Sequence, residues 1–355
     1  MVRNILIRIL LIPFALLYGL GVAIRNLLYR WKLLKSIEFS LPVIGIGNLT
    51  VGGAGKTPHT EYLIKLLSPY MQLATLSRGY GRKTKGFLLA QEYHSAVEIG
   101  DEPLQFFRKF PEVVVSVSES RGLGIPQLLS KRSEVQTILL DDVFQHRAVQ
   151  PGLNLLLTEY QKPFTDDFIL PVGRLREWPA GAQRADAIIV TKCPIDSTRA
   201  ERESVGQKVR QRPDQKIFYS FYRYGKPYNI FNPSLTSPLE SYTDVLMVSA
   251  IAQTDQLIQF LEAQELNVRE LSFEDHHKFT SYEVANMIRI FQEMESDQKL
   301  FLTTEKDAMR MELHKGYFLE HNIQVFALPV EVSFFSEQEH NFNRYVKDFL
   351  LDFEI

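Results

Sequence analysis

Apolar positions first form one unbroken block: Ile9 to Ile24 carries no charge and is bracketed by Arg8 and Arg25. The run is shorter than the roughly 20 residues a bilayer span needs. Tyr29 and Trp31 sit at one margin, among Arg25, Arg30, Lys32 and Lys35. That pattern predicts a helix embedded in a membrane or lying on its surface. A cleaved leader would need a small-x-small site, and a buried soluble helix has little use for arginines at both ends. Beyond Lys35 the apolar runs shorten and alternate in type. Strand-like segments at 43–46, 71–77, 113–117, 137–140, 153–157 and 186–191 are interleaved with helical ones, such as that carrying Leu63, Leu66 and Leu67. This alternation predicts an α/β fold with a largely parallel sheet. From Ile217 to Phe231 the pattern becomes aromatic alternation, IFYSFYRYGKPYNIF, which reads as a β-ribbon and places a boundary there. Strands at 244–250, 268–273, 299–303 and 325–330, with helices at 255–264 and 282–294, then predict a second α/β unit. The expected organisation is an anchor over 1–35, a nucleotide-binding unit over 36–215, and ribbon plus smaller unit over 216–355.

Length supports that division, because 355 residues exceed one ordinary core. A net charge of −2 argues against a nucleic-acid binder, which would be strongly basic. The single cysteine, Cys193, excludes an internal disulfide and a multi-cysteine metal site. No obligate protein partner is called for. A nucleotide loop just behind the anchor puts the body on the cytoplasmic face.

That loop is the most specific local signal. After the strand at Val43 come Thr50, Gly52, Gly53, Ala54, Gly55, Lys56 and Thr57, and then a helix. Glycines let successive backbone N–H groups turn toward phosphate oxygens at a helix N-terminus. Lys56 would reach the β- and γ-phosphates and Thr57 a Mg²⁺ ion. Thr50 stands where the strict motif has its first glycine, and Val51 where a variant form carries an extra lysine. Ser77, Arg78, Arg82 and Lys83 follow a strand end, where anions are met, or form a solvated basic hairpin. Asp101 and Glu102 either charge a helix's first turn or do chemistry. The strand ending in Asp141-Asp142 is the expected second metal element. Thr191-Lys192-Cys193-Pro194 lacks the aspartate that guanine recognition requires. His276 and His277 stay open between a loop role, a zinc site short of ligands, and orientation of a carboxylate.

Taken in order, the motifs resemble one family, the tetraacyldisaccharide 4′-kinases of lipid A biosynthesis. They are GNLTVGGAGKTP (47–58), SRGYGR (77–82), GDEP (100–103), DDVFQHR (141–147), LPVGRLRE (170–177), DHHKF (275–279) and TTEKDA (303–308). The resemblance implies a P-loop NTPase-like α/β/α domain and a smaller α/β/α domain joined by a β-ribbon, with an N-terminal membrane-associated helix. It implies phosphorylation, with ATP and Mg²⁺, of the 4′-hydroxyl of an acylated glucosamine disaccharide 1-phosphate at the inner membrane. Lys56 and Thr57 take the nucleotide and metal positions, and Asp141 and Asp142 the carboxylates for metal and catalysis. Asp101 matches the proposed general base and His276 its partner, with His277 leaving the register open. Arg174 matches a clamp on the transferring phosphate. Gln145, His146, Arg176 and Glu177, with Ser77, Arg78 and Arg82, are assigned to the acceptor side. Val143 and Gln150-Pro151-Gly152 depart from the family pattern beside Asp142. The rival readings are a regulatory or metallocofactor-insertion NTPase, and a tethered scaffold that binds nucleotide without turnover.

Overall fold

The structure, a computed structural model, describes residues 2–353. Apolar runs bounded by glycine and polar turns become two sheets. The larger has nine strands in the order 330–334, 216–224, 187–191, 153–159, 43–48, 137–141, 73–77, 114–117 and 88–89. All are parallel except the two edge strands, 330–334 and 88–89. The central strand β1 (Val43–Asn48) is wholly buried, as a parallel strand covered on both faces must be. It lies between the strands at 137–141 and 153–159. The second sheet has six strands and its own core around Leu246, Val248, Phe301 and Phe318.

The boundary near Lys216 falls differently from the sequence expectation. Residues 216–224 and 330–334 pair antiparallel with each other, and 216–224 also joins 187–191 in the first sheet. Helix Ser336–Leu351 then returns to the first core through Phe342 and Val346. Period-two alternation marks a pleated strand but carries no information about which sheet it joins. The two crossings lie side by side, with Gly225 N–H donating to Pro329 O at 3.0 Å.

Helix α1 (Val2–Arg30) presents Leu10, Phe14, Leu16, Leu17 and Leu20 to the outside. Among the described residues, 7–30 form the one helix long and apolar enough to cross a membrane. The other face of α1 docks on the protein. Tyr18 Oη donates to Arg176 O at 2.8 Å, Trp178 Nε1 to Gly19 O at 2.9 Å, and Arg147 Nη1 to Asn26 O at 2.8 Å.

A buried charge cluster ties the units behind the glycine loop. Lys109 Nζ lies 2.6 Å from Glu61 of the first unit and 2.8 Å from Glu305 of the second. Burial, then the charge of Glu305, pushes the Glu61 carboxyl up to about 7 from an ordinary 4.5. Between those values the folded chain holds a proton that the unfolded chain has released, so this pair's contribution to stability falls as pH rises. Lys109→Met strands two buried carboxylates and is expected to cost about 3–5 kcal/mol. Thermal unfolding at pH 6 and pH 8 should show the larger drop at pH 8; an equal drop would remove the shared proton.

A phosphate loop and two carboxylates on one cleft

The glycine loop leaves β1 and runs into helix α2 (Lys56–Leu67), whose first residues are Lys56 and Thr57. Gly55 caps that helix at φ 86°, and a Cβ there would meet Tyr222 Oη at 2.1 Å, so only glycine fits. Residues 50–58 line a cleft of about 430 Å³ between the two units, and Asp142, Arg176, Glu102, His276 and Lys306 line it as well.

Around Asp142 the charges interlock. Arg176 grips it through two hydrogen bonds, Nη1 to Oδ2 at 3.0 Å and Nη2 to Oδ1 at 2.8 Å. Lys56 Nζ stands 3.7 Å from Oδ1. Asn48, the last residue of β1, accepts from both Lys56 and Arg176 through its side-chain oxygen. Lys56 and Arg176 outweigh the cost of burial and hold the Asp142 carboxyl far below the usual range. Asp141 differs: it is 1% exposed, and burial, then the charge of Glu102, pushes it up to about 7. Arg121 Nη2 donates to its backbone carbonyl at 3.0 Å. Desolvation lowers that guanidinium to about 10.

The second carboxylate group is built across the cleft. Asp101 opens helix Asp101–Lys109 in the first unit and is 4% exposed. Its Oδ1 accepts from Glu102 N–H at 2.9 Å. Its Oδ2 takes His276 Nδ1 at 3.0 Å and Arg310 Nη1 at 2.8 Å, both from the second unit. Burial opposes ionisation, but His276, Lys306 and Arg310 prevail and bring the carboxyl down to about 2. The neighbouring His277 turns away onto Glu283 at 3.0 Å, so the register settles on His276.

Not every predicted residue joins these groups. Arg174 lies on Asp167 at 2.8 Å and near Glu159 at 3.5 Å, while Arg176 is the arginine paired with Asp142. The two are separated by Leu175 on a bent loop, and the local backbone sends them to different carboxylates. Arg82 staples its turn through Nη2, which donates to Glu119 and to the Gly86 carbonyl, both at 2.6 Å. Ser77 is buried with its hydroxyl unpartnered among the described residues, while Arg78 is exposed. Burial, then the positive charge of Arg121, lowers His146 to about 4. Gln145 bridges the Asn48 carbonyl and the fully buried Glu177. Glu177 also takes Asn26 of α1 at 3.1 Å and Arg184 at 2.8 Å. Asn48, Arg121, Lys306 and Arg310 escaped the sequence reading. Lys306 lies inside the TTEKDA motif and could have been found there, whereas Arg310, one turn on, has no local signal.

The chain is similar over nearly its whole length to proteins of one family. The family model described as tetraacyldisaccharide-1-P 4′-kinase matches residues 7–350. A tetraacyldisaccharide 4′-kinase of Bacteroides fragilis is 44% identical over 345 residues, covering 95% of this chain and 91% of the relative. One from Flavobacterium johnsoniae is 40% identical over 352 residues, covering 97% and 98%. The crystal structure of the "apo" form of LpxK from Aquifex aeolicus in complex with ATP is similar at TM-score 0.74 and 31% identity, covering 97% of this chain and 99% of that one. With the family pattern matched from residue 7 to residue 350 and its loop and Asp142 facing one cleft, the chain belongs to the tetraacyldisaccharide-1-P 4′-kinase family.

Proposed function

We propose that this chain moves the γ-phosphate of ATP onto the 4′-hydroxyl of a tetraacylated glucosamine disaccharide 1-phosphate, a step of lipid A biosynthesis, at the cytoplasmic face of the inner membrane. The observation that carries the reading is the shared cleft: residues 50–58 and Asp142 face it from one unit, and His276 of the other unit reaches across it to Asp101. A nucleotide switch or a scaffold has no need of that second carboxylate group.

In this reading the backbone N–H groups of residues 52–57 and the Lys56 ammonium cradle the phosphates, at the positive end of α2. Arg176 is placed to follow charge as it develops on the transferring group. Asp101 accepts the proton of the sugar hydroxyl, and His276 orients it. The oxygen donors fit a hard divalent cation: Thr57 supplies a hydroxyl, Asp142 an ionised carboxylate, and Asp141 a buried carboxylate with no ion pair shorter than 4.0 Å among the described residues. No group of three or more His, Cys, Asp or Glu forms a closed cage among the described residues, which suits Mg²⁺, held by one or two carboxylates together with phosphates. Mg²⁺, when bound, neutralises charge on the phosphate oxygens.

The apolar face of α1 is suited to a bilayer that carries the acylated acceptor, and its docked face contacts the loop bearing Arg176. Purified protein is expected to transfer label from γ-³²P ATP to the disaccharide lipid and to leave a lipid lacking the 4′-hydroxyl untouched. Labelling of both lipids would overturn the reading. Removal of residues 1–35 should depress turnover on bilayer-presented lipid while ATP binding persists.

A further inference from the structure

His276 sits between two groups of opposite character. Its Nδ1 lies 3.0 Å from Asp101 Oδ2, and its Nε2 lies 3.0 Å from Lys306 Nζ. An ammonium group has only hydrogens to offer, so Nε2 must be the bare, accepting nitrogen. The ring proton is therefore on Nδ1, where it is donated to the carboxylate. Lys306 is held in place as a cation: Glu102 Oε1 lies at 3.2 Å and Asp275 Oδ1 at 3.7 Å. The charged groups facing the imidazole are thus Asp101, Asp275 and Lys306, with Arg310 behind Asp101 and Glu102 behind Lys306. The Tyr80 ring packs on it at 4.5 Å between centroids.

We infer that Lys306 is a positioning residue: it pins His276 in the Nδ1–H tautomer, leaving Asp101 as the member of the pair with lone pairs for the acceptor's proton. This rests on the kinase reading for its meaning, but not for its geometry. With Nε2 occupied by an ammonium and Nδ1 already protonated, the imidazole has no site for another proton. The Asp101 oxygens keep that capacity, since Oδ1 accepts only the Glu102 N–H among the described residues. In the transfer, the sugar oxygen bonds to phosphorus, the bond to the ADP oxygen breaks with its electron pair on ADP, and the hydroxyl proton passes to Asp101. Lys306 and Arg310 lie on one helix, Glu305–Met311, so one element of the second unit delivers the groups that set both the imidazole and the carboxylate. The arrangement is complete only when that helix faces Asp101.

The test is the tautomer itself. Full-length protein labelled with ¹⁵N-histidine in detergent micelles, without nucleotide or lipid, gives the two ring-nitrogen signals of His276, assigned by their loss in His276→Gln. The expected result at neutral pH is a protonated Nδ1 and a bare Nε2. Lys306→Met should release Nε2: its signal shifts as the tautomers mix, and kcat falls about tenfold or more while KM for ATP moves less than about twofold. Lys306→Arg, which keeps a cationic donor, should restore the Nδ1–H signal. A wild-type ring protonated on Nε2, or a Lys306→Met spectrum identical to wild type, overturns the assignment. If Lys306→Met does not fold, the wild-type spectrum decides alone. Because no acceptor is present, failure of phosphoryl transfer leaves this result standing, and an Nε2–H ring in an active kinase overturns only this inference.

Discussion

Lys56→Ala and Asp142→Ala are each expected to lower kcat by about 10³-fold or more, a loss of about 4 kcal/mol of transition-state stabilisation. Phosphoryl transfer asks the protein for position and charge rather than covalent chemistry. Lys56, Asp142 and Arg176 form one electrostatic unit in which Arg176 takes both oxygens of Asp142 and Lys56 stands 3.7 Å from one of them. Removing Asp142 takes away a cation ligand and also frees Arg176 to swing. Removing Lys56 leaves Asp142 with one positive neighbour fewer. The two losses act through shared partners, so the double variant should fall well short of their sum. Steady-state kinetics on the single and double variants measure this. Either single variant retaining more than a tenth of wild-type kcat would take that residue out of phosphate handling.

The second large effect concerns Asp101. Asp101→Asn is expected to lower kcat by about 10²–10⁴-fold, the usual worth of a placed proton acceptor, with ATP affinity largely intact. The amide keeps the shape of the carboxyl but not its charge, and it leaves Arg310, itself 5% exposed, with Asp307 as its remaining carboxylate partner. Part of the effect will therefore appear as lower thermal stability, since breaking a buried ion pair costs about 3–5 kcal/mol. Thermal unfolding of Asp101→Asn reads the stability part apart from kcat. Calorimetric titration of ATP gives the remaining arm. Full kcat in the single variant, or an ATP affinity that falls in step with kcat, would remove Asp101 from the proton-accepting role.

Both expectations began as readings of local sequence, and the structure treated them unequally. Loop, helix and twin aspartates were legible because their chemistry lies in contiguous residues: glycines with a Lys-Thr pair, an apolar strand ending in acid. The loop at 170–177 was legible only as a basic segment. Which arginine would grip Asp142 depended on how the loop bends around Leu175, and the structure placed Arg176 on Asp142 and Arg174 on Asp167 and Glu159. The pairing of Arg82 with Glu119, 37 positions away, likewise had no local signal. The same holds for the ribbon. Its alternation was correct as strand, but pairing with 187–191 and with 330–334 is a long-range choice.

The sequence alone, then, determined what is encoded in neighbours along the chain: an α/β alternation, a phosphate-binding turn, carboxylates at strand and helix ends, and an apolar N-terminal helix with basic flanks. Tertiary structure decided what depends on packing between distant segments. It chose His276 over His277, set Lys306 and Arg310 beside a carboxylate from the other unit, and returned the C-terminal helix to the first sheet. The physical reason is range. Backbone propensity and side-chain period act over a few residues, whereas a buried charge is stable only where the fold supplies its partner, and here the partners of Asp101 lie 175 and 209 positions away.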